Sequence, residues 1–216
     1  MAVPSSFVVE IQGNIGAGKS TVLKIIEKRL GDRARVHYEN IEAWQPLLEK
    51  MYSNPTEYIN LFQFKVLEHY FDAGETIVED NAHIHFVERG PDAVQNVFIP
   101  ASERFKTMDS LDAKAFYMIL NTVFRDAKLP WANSHIVYLR VKPDTCLRRI
   151  RTRSRDGESG ISEDYLRVLH SLHERTYAAS LDSREVPYRS ADTILDIGDD
   201  ETPDQIADRI LAIFGL

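Results

Sequence analysis

The sequence is poor in cysteine, in long hydrophobic runs and in net positive charge. A single cysteine, Cys146, among 216 residues excludes an internal disulfide framework and a zinc ribbon built on paired cysteines. No apolar run approaches the roughly 18 residues that a membrane-spanning helix needs. The net charge of −7 argues against nonspecific binding to nucleic acid or to an anionic membrane.

The N-terminal residues MAVPSSFVVE have no basic segment before their short apolar run. We therefore expect neither a secretory signal nor an arginine-rich transit peptide. The hydrophobic fraction of 44% is ample for one core. We expect a single domain over residues 1–216 and a cytoplasmic location, although a nuclear or viral-host setting would look the same.

Strand and helix patterns alternate along the chain. Apolar runs predict strands at 7–11, 35–38, 83–87, 135–141 and 193–197. Helical spacing or helix-start signals predict helices after the first strand and at 42–50, 55–73, 111–124, 162–181 and 203–214. This alternation predicts an α/β fold with a five-stranded parallel sheet covered by helices on both faces. Ligands of such sheets bind beyond the carboxyl ends of the strands.

A glycine-rich motif follows the first strand and opens the first helix. Its fixed positions are Gly13, Gly18, Lys19 and Ser20, which fit G-x-x-x-x-G-K-S. Glycines let backbone N–H groups point at phosphate oxygens, the lysine can reach the β- and γ-phosphates, and the serine can ligate Mg²⁺. The alternative is a glycine-rich turn that binds nothing, but a lysine would then be unusual in a buried turn. We expect nucleotide contacts from Gly13, Asn14, Ile15, Gly16, Ala17, Gly18, Lys19, Ser20 and Thr21.

Acidic and basic side chains follow the second and third predicted strands. Glu39 comes directly after the second strand, and Glu88 and Arg89 come directly after the third. All three should lie at the edge that carries the glycine-rich loop. A structural ion pair is the alternative, but the position beside a phosphate loop favours work on Mg²⁺ and phosphate. Glu42, three residues after Glu39, is explained by the dipole of the next helix.

A strongly basic segment covers residues 148–155. Arg149 and Arg153 share one helical face, and Arg155 lies just before a glycine-rich stretch that we predict to be irregular. A solvated basic face and a nucleic-acid patch are alternatives, but the overall acidity disfavours the second. We interpret residues 149–160 as an arginine lid that closes over a triphosphate.

Taken together, these motifs resemble the deoxynucleoside kinase family, which includes cellular deoxynucleoside kinases and viral thymidine kinases. The resemblance covers nearly the whole chain and implies a three-layer P-loop kinase fold. It rests on the residues 13–21, Glu39 with Trp44, Met51-Tyr52, Asn54-Pro55, Phe62-Gln63, Glu88-Arg89, Arg149, Arg153, Arg155, Tyr165-Leu166, Leu169-His170 and His173-Glu174.

The resemblance implies transfer of a phosphoryl group from ATP, with Mg²⁺, to the 5′-hydroxyl of a deoxynucleoside. Glu39 resembles the family's general base, and Arg89 resembles the arginine that holds the nucleoside end and the transferring phosphate. Glu88 resembles an outer-sphere partner of Mg²⁺, beside the Ser20 ligand. The remaining catalytic arginines implied are those of the lid: Arg149, Arg153 and Arg155.

The resemblance also implies the substrate contacts. Tyr52 and Glu158 match positions that hold the sugar 3′-hydroxyl, Trp44 and Phe98 match walls of the base slot, and Gln63 matches the amide that reads the base edge. That amide alone can pair with thymine or, flipped, with cytosine.

Two further positions guide the choice of base. Deoxycytidine kinases of the family add an arginine and an aspartate, where this chain has Tyr70 and Val94. We therefore expect thymidine, or more broadly a pyrimidine deoxynucleoside. The chain also departs from the family at Asn40, where a proline is usual, and at Gly90 and Pro91, where a small hydroxyl residue is usual after the arginine.

Two other functions stay open at this point. A nucleoside monophosphate kinase has a similar architecture, but Glu39 and Glu158 would repel a second phosphate. A non-catalytic nucleotide-binding subunit is the other possibility, against which the complete set of catalytic residues argues. Members of the family usually form homodimers through helices, and the apolar helix at 111–124 could serve here.

Overall fold

In a computed structural model, the structure describes residues 7–80, 84–126, 129–178 and 190–216. Its strands are β1 (Phe7–Gln12), β2 (Ala34–His37), β3 (Ile84–Glu88), β4 (His135–Arg140) and β5 (Thr193–Asp196). They form one parallel sheet in the order β2-β3-β1-β4-β5. The predicted five-stranded parallel sheet is confirmed, with strand ends shifted by at most one residue. Residue 83, the predicted start of the third strand, lies outside the described residues.

The helices connect the strands and cover the sheet. They are α1 (Lys19–Leu30), α2 (Ile41–Ser53), α3 (Pro55–Glu79), α4 (Pro91–Ala93), α5 (Ile99–Arg104), α6 (Ser110–Asp126), α7 (Pro143–Arg153), α8 (Glu163–His173) and α9 (Pro203–Ile213). A π turn (Val94–Phe98) joins α4 to α5, and another (Glu174–Ala178) extends α8. The last residues of the predicted helix 162–181 lie outside the described residues.

The central strands are buried on both faces, as parallel sheets between helices require. On one face Val9, Ile11 and Phe86 pack in a cluster with residues of α1, α7 and α9. On the other face Val8 and Val87 pack in a cluster with residues of α2, α3 and α6. The alternation of side chains along each strand therefore divides the core into two layers. None of the described helices is long and apolar enough to cross a membrane.

The starts of α8 and α1 differ in whether a side chain caps their first backbone N–H groups. Ser162 accepts a hydrogen bond from the Tyr165 N–H at 3.1 Å and so caps the start of α8. At the start of α1, Gly18 has a left-handed backbone and provides no side-chain cap. The first N–H groups of α1 are therefore left to face the carboxyl edge of the sheet.

Candidate active site

A cleft lies at the carboxyl edge of β1, β2 and β3, and its empty space, including open solvent, is about 950 Å³. Most of the predicted site residues line it: Ile15, Gly16, Gly18, Lys19, Ser20, Thr21, Glu39, Trp44, Tyr52, Gln63, Glu88, Arg89, Phe98, Arg153, Arg155 and Glu158. The other predicted residues, Gly13, Asn14, Ala17 and Arg149, are placed beside the cleft by loop contacts.

The loop between β1 and α1 needs its glycines. Gly13, Gly16 and Gly18 have φ values of 152°, 78° and 96°, which L side chains rarely adopt. A Cβ at Gly16 would also lie 2.6 Å from the carbonyl oxygen of Cys146. Asn14 fastens the loop to α8, since its Nδ2 donates to the Leu166 carbonyl at 2.9 Å. The loop is thus a rigid, concave turn in front of α1.

Lys19 lies inside this loop and is 4% exposed. Its Nζ donates to the carbonyl oxygens of Gly13 at 3.2 Å and Asn14 at 3.1 Å. Burial and the nearby charge of Arg89 lower the pKa of Lys19 to about 8, although Glu88 and Glu39 oppose that shift. The ammonium group therefore lacks a full set of anionic partners, which phosphate oxygens would supply.

Ser20 and Glu88 bring two oxygen donors together at the start of α1. The Ser20 hydroxyl donates to Glu88 Oε1 at 2.6 Å, and Glu88 itself is 5% exposed. Mg²⁺ prefers oxygen ligands and is usually held by one or two protein groups together with phosphate oxygens. The donor set fits that ion, with Ser20 and Glu88 on its protein side.

Glu39 and Arg89 form a buried ion pair across the ends of β2 and β3. Their side chains are 9% and 7% exposed, and Arg89 Nη1 donates to Glu39 Oε1. Burial alone would raise the pKa of Glu39, but the charges of Arg89 and Lys19 outweigh it and hold that pKa below its ordinary value. Glu39 is therefore an ionised, oriented carboxylate at neutral pH.

The remaining contacts fix this pair. The Tyr70 hydroxyl lies 3.4 Å from Glu39 Oε1 and 3.4 Å from the Glu88 carbonyl oxygen. Arg89 has a left-handed backbone with φ of 63°, which is uncommon outside glycine and is held by its N–H bond to the Ile11 carbonyl at 3.0 Å. β2 ends at His37, so Glu39 lies two residues beyond the strand. The sequence had predicted a distance of one residue.

The far end of the cleft is an apolar slot with one buried amide. Trp44 and Phe98 lie in its lining, and the Arg89 guanidinium stands 5.1 Å from the centre of the Phe98 ring. Gln63 is 3% exposed, and its Oε1 accepts no hydrogen bond from the described residues. Other lining side chains are Ile41, Leu48, Met51, Ile59, Phe62, Val66 and Val94.

Part of the basic segment and the residues after it line the cleft. Glu158 is 4% exposed and receives two hydrogen bonds from Arg153, at 2.7 and 2.8 Å, and one from Arg155, at 3.1 Å. Arg149 points to the phosphate loop and donates to the Ala17 carbonyl at 3.0 Å. The glycine-rich stretch contains a 3₁₀ turn, Glu158–Gly160, where the sequence predicted irregular structure.

Sequence reasoning missed several features of the site. Tyr165 lines the cleft, and burial raises its pKa to about 12. In the sequence it is only one member of the family pattern. Tyr70 was considered for base recognition, whereas its hydroxyl contacts Glu39. Asn40, the departure from proline, accepts a hydrogen bond from the Ala43 N–H at 3.3 Å and caps α2. Only the last could have been found in the sequence, from the asparagine before a helical pattern.

Known proteins that resemble this chain include nucleoside kinases. The chain is 30% identical over 210 residues to a thymidine kinase of Ictalurid herpesvirus 1, covering 90% of this chain and 85% of the relative. It is 27% identical over 240 residues to deoxycytidine kinase 2 of Gallus gallus, covering 94% and 86%. A solved deoxyadenosine kinase from M. mycoides shares the fold, with a TM-score of 0.76 at 19% identity over 97% of this chain and 99% of that one.

A family model supplies the last comparison. The model of the deoxynucleoside kinases matches residues 9–212, which include the glycine-rich loop, the Glu39–Arg89 pair and the basic segment. The chain therefore belongs to the deoxynucleoside kinase family and is a nucleoside-phosphorylating kinase.

Proposed function

We propose that this kinase transfers the γ-phosphoryl group of ATP, with Mg²⁺, to the 5′-hydroxyl of a pyrimidine deoxynucleoside, preferably thymidine. The single observation that carries the proposal is the arrangement of one cleft. A phosphate loop lies at one end, an apolar slot with an amide lies at the other, and the Glu39–Arg89 pair lies between them.

The donor end is suited to the triphosphate. Backbone N–H groups of the glycine loop and of the first turn of α1 face the phosphates, and Lys19 is placed to balance their charge. Ser20 and Glu88 would hold Mg²⁺, Ser20 directly and Glu88 from the outer sphere. When bound, Mg²⁺ neutralises charge on the β- and γ-phosphate oxygens.

The acceptor end is suited to orienting an alcohol. Glu39 is ionised and would accept the proton of the 5′-hydroxyl as the oxygen attacks the γ-phosphorus, while ADP leaves in line. A carboxylate is a weak base for an alcohol, but a loose phosphoryl-transfer transition state depends on orientation more than on prior deprotonation. Arg89 fixes the direction of Glu39 and adds positive charge beside the transferring group.

The sugar and the lid meet at Glu158. We propose that Tyr52 and Glu158 bind the 3′-hydroxyl, while Arg149, Arg153 and Arg155 stabilise the charge on the transferring phosphoryl group. Burial raises the pKa of Tyr52, so its hydroxyl stays a hydrogen-bond donor. Because Glu158 already binds two of these arginines, sugar binding and lid closure share one carboxylate.

The base slot supports a pyrimidine. Gln63 presents an amide oxygen that has no hydrogen-bond partner among the described residues, and the neighbouring Val94 and Tyr70 bring no formal charge to read an exocyclic amine. The apolar lining suits the 5-methyl group of thymine. The relatives include both thymidine and deoxycytidine kinases, so they do not choose between these two bases.

The deciding experiment is a panel of thymidine, deoxycytidine, deoxyadenosine and deoxyguanosine, assayed with ATP and Mg²⁺ for kcat/KM. We expect phosphorylation with the highest value for thymidine. Thymidine monophosphate is included as an acceptor because phosphorylation of it alone would identify a nucleoside monophosphate kinase. No ADP release with any acceptor would identify a nucleotide-binding subunit without catalysis.

We also propose that the chain is one domain that works in the cytoplasm as a homodimer. Exposed apolar side chains of α3 and α6 support the dimer. They are Leu61 at 56%, Phe64 at 47%, Leu111 at 74% and Met118 at 70% exposure. Surfaces of this kind on neighbouring helices are typical of protein interfaces.

A further inference from the structure

Glu10 is a carboxylate in the middle of the central strand, outside the lining of the cleft. It is fully buried, on the sheet face opposite to that of Val9 and Ile11. Its Oε2 accepts a hydrogen bond from Gln12 Nε2 at 2.9 Å, and its Oε1 accepts one from the Ser134 hydroxyl. Burying a carboxylate costs free energy unless hydrogen bonds or charges compensate, so its surroundings are informative.

Those surroundings include the corner that follows β3. Arg89 occupies the left-handed region there, and Gly90 follows with extended backbone before α4 begins at Pro91. An ideal Cβ at Gly90 would lie 2.0 Å from Glu10 Oε2 and 2.6 Å from its Cδ. No side chain fits in that space, so the Glu10 carboxylate packs directly against the backbone of Gly90.

The carboxylate has little freedom to move away. Hydrogen bonds from Gln12 and Ser134 hold it inside a closely packed interior, and a large shift would cost those bonds. The preceding residue of the corner is held by the same strand, because the Arg89 N–H donates to the Ile11 carbonyl at 3.0 Å. Glu10 and Ile11 are consecutive residues of β1, and both restrain the Arg89–Gly90 corner.

We propose that Glu10 is a positioning residue for phosphoryl transfer. Its carboxylate fixes the Arg89–Gly90 corner and so sets the direction of the Arg89 guanidinium and, through the adjoining residue, of the Glu88 carboxylate. The inference rests on the function proposed above, because it assigns Glu10 a purpose in that reaction. It also explains the glycine at position 90, which the phosphate-binding residues themselves do not require.

The test introduces the missing Cβ. We expect Gly90→Ala to lower kcat by about 10²-fold, because displacements near 1 Å at a reacting centre have effects of that size. The matched control is Gly198→Ala, where the nearest heavy atom to a new Cβ is 4.0 Å away, and we expect unchanged kcat. Affinity for ADP without Mg²⁺ should stay within about twofold in both variants, because the hydrogen bonds of Lys19 go to the glycine loop and not to the corner.

Two double variants distinguish the effect of the volume of the Glu10 side chain from the effect of its charge. Glu10→Ala with Gly90→Ala frees the space and should recover about tenfold of the lost kcat, since touching residues act non-additively. Glu10→Gln with Gly90→Ala keeps the volume and should remain as impaired as Gly90→Ala alone. Thermal unfolding establishes that each variant is folded at the assay temperature.

Three results would overturn the proposal. Equal kcat for Gly90→Ala and Gly198→Ala would overturn the proposal, even if the Glu10→Ala double variant does not fold. No recovery in a folded Glu10→Ala double variant, or a parallel loss of ADP affinity in Gly90→Ala, would also overturn it. Failure of the proposed function is a separate result, because the unsubstituted protein would then phosphorylate no deoxynucleoside.

Discussion

At the scale of single residues, the site is governed by charges placed where water is scarce. Glu39, Arg89 and Lys19 are all nearly buried; the two cations lower the pKa of Glu39, and Glu39 in turn acts to raise the pKa of both. Such mutual compensation keeps an ionised carboxylate beside two cations, ready for a neutral hydroxyl and an anionic phosphate. The chemistry therefore depends on a small number of side chains that can be tested one by one.

Glu39→Gln removes the proposed base and keeps its shape. We expect kcat to fall by about 10²- to 10⁴-fold, the usual contribution of general base catalysis, while the Kd for the deoxynucleoside changes little. Steady-state kinetics and calorimetric titration provide the two values. Glu42→Gln, an exposed carboxylate of the first turn of α2, is the control and should behave as the unsubstituted protein. Near-normal turnover of Glu39→Gln would contradict the assignment.

Lys19 predicts a pH dependence of donor use. Since the folded protein lowers its pKa to about 8, the free enzyme loses the ammonium charge as pH rises past that value. The triphosphate prefers the charged form, so kcat/KM for ATP should decline above about pH 8, approaching tenfold per pH unit. Deoxynucleoside binding without donor, measured over the same range, is the control. A flat ATP profile to about pH 9.5 would contradict the prediction.

At the scale of elements, helix starts and strand ends decide where the polar groups meet. α1 follows an uncapped glycine, Gly18, and β2 and β3 end beside it. The last residues of α7 form the start of the basic segment. In this structure Arg153 and Arg155 bind Glu158. We expect them to exchange part of this contact for phosphate oxygens when the lid acts, which makes their effect specific to turnover.

Arg153→Ala and Arg155→Ala should each lower kcat by about 10²-fold, because they remove charge stabilisation that develops during transfer. ADP affinity should change much less. Arg151→Ala provides the comparison, since Arg151 is an exposed arginine of α7 that does not line the cleft. Equal effects of all three substitutions on kcat would indicate a general basic face rather than a lid.

At the scale of the whole molecule, the exposed apolar side chains of α3 and α6 predict the homodimer. Met118→Glu should shift the protein to a monomer, because a buried, unpaired carboxylate opposes association. Sedimentation equilibrium gives the mass in solution. Ile213→Glu, on α9 in the other helical layer, is the control and should leave the dimer intact. A monomer before any substitution would refute the predicted dimer.

The sequence by itself determined the alternation of strands and helices, the phosphate loop and the candidate residues at strand ends. These features are local, because they follow from periodicity, glycine spacing and the rule that parallel strands share a carboxyl edge. The tertiary structure alone decided that Tyr70 contacts Glu39, that Glu158 binds two arginines and that Glu10 packs against Gly90. Those contacts join residues whose side-chain directions are fixed by packing between distant elements, and no local pattern encodes them.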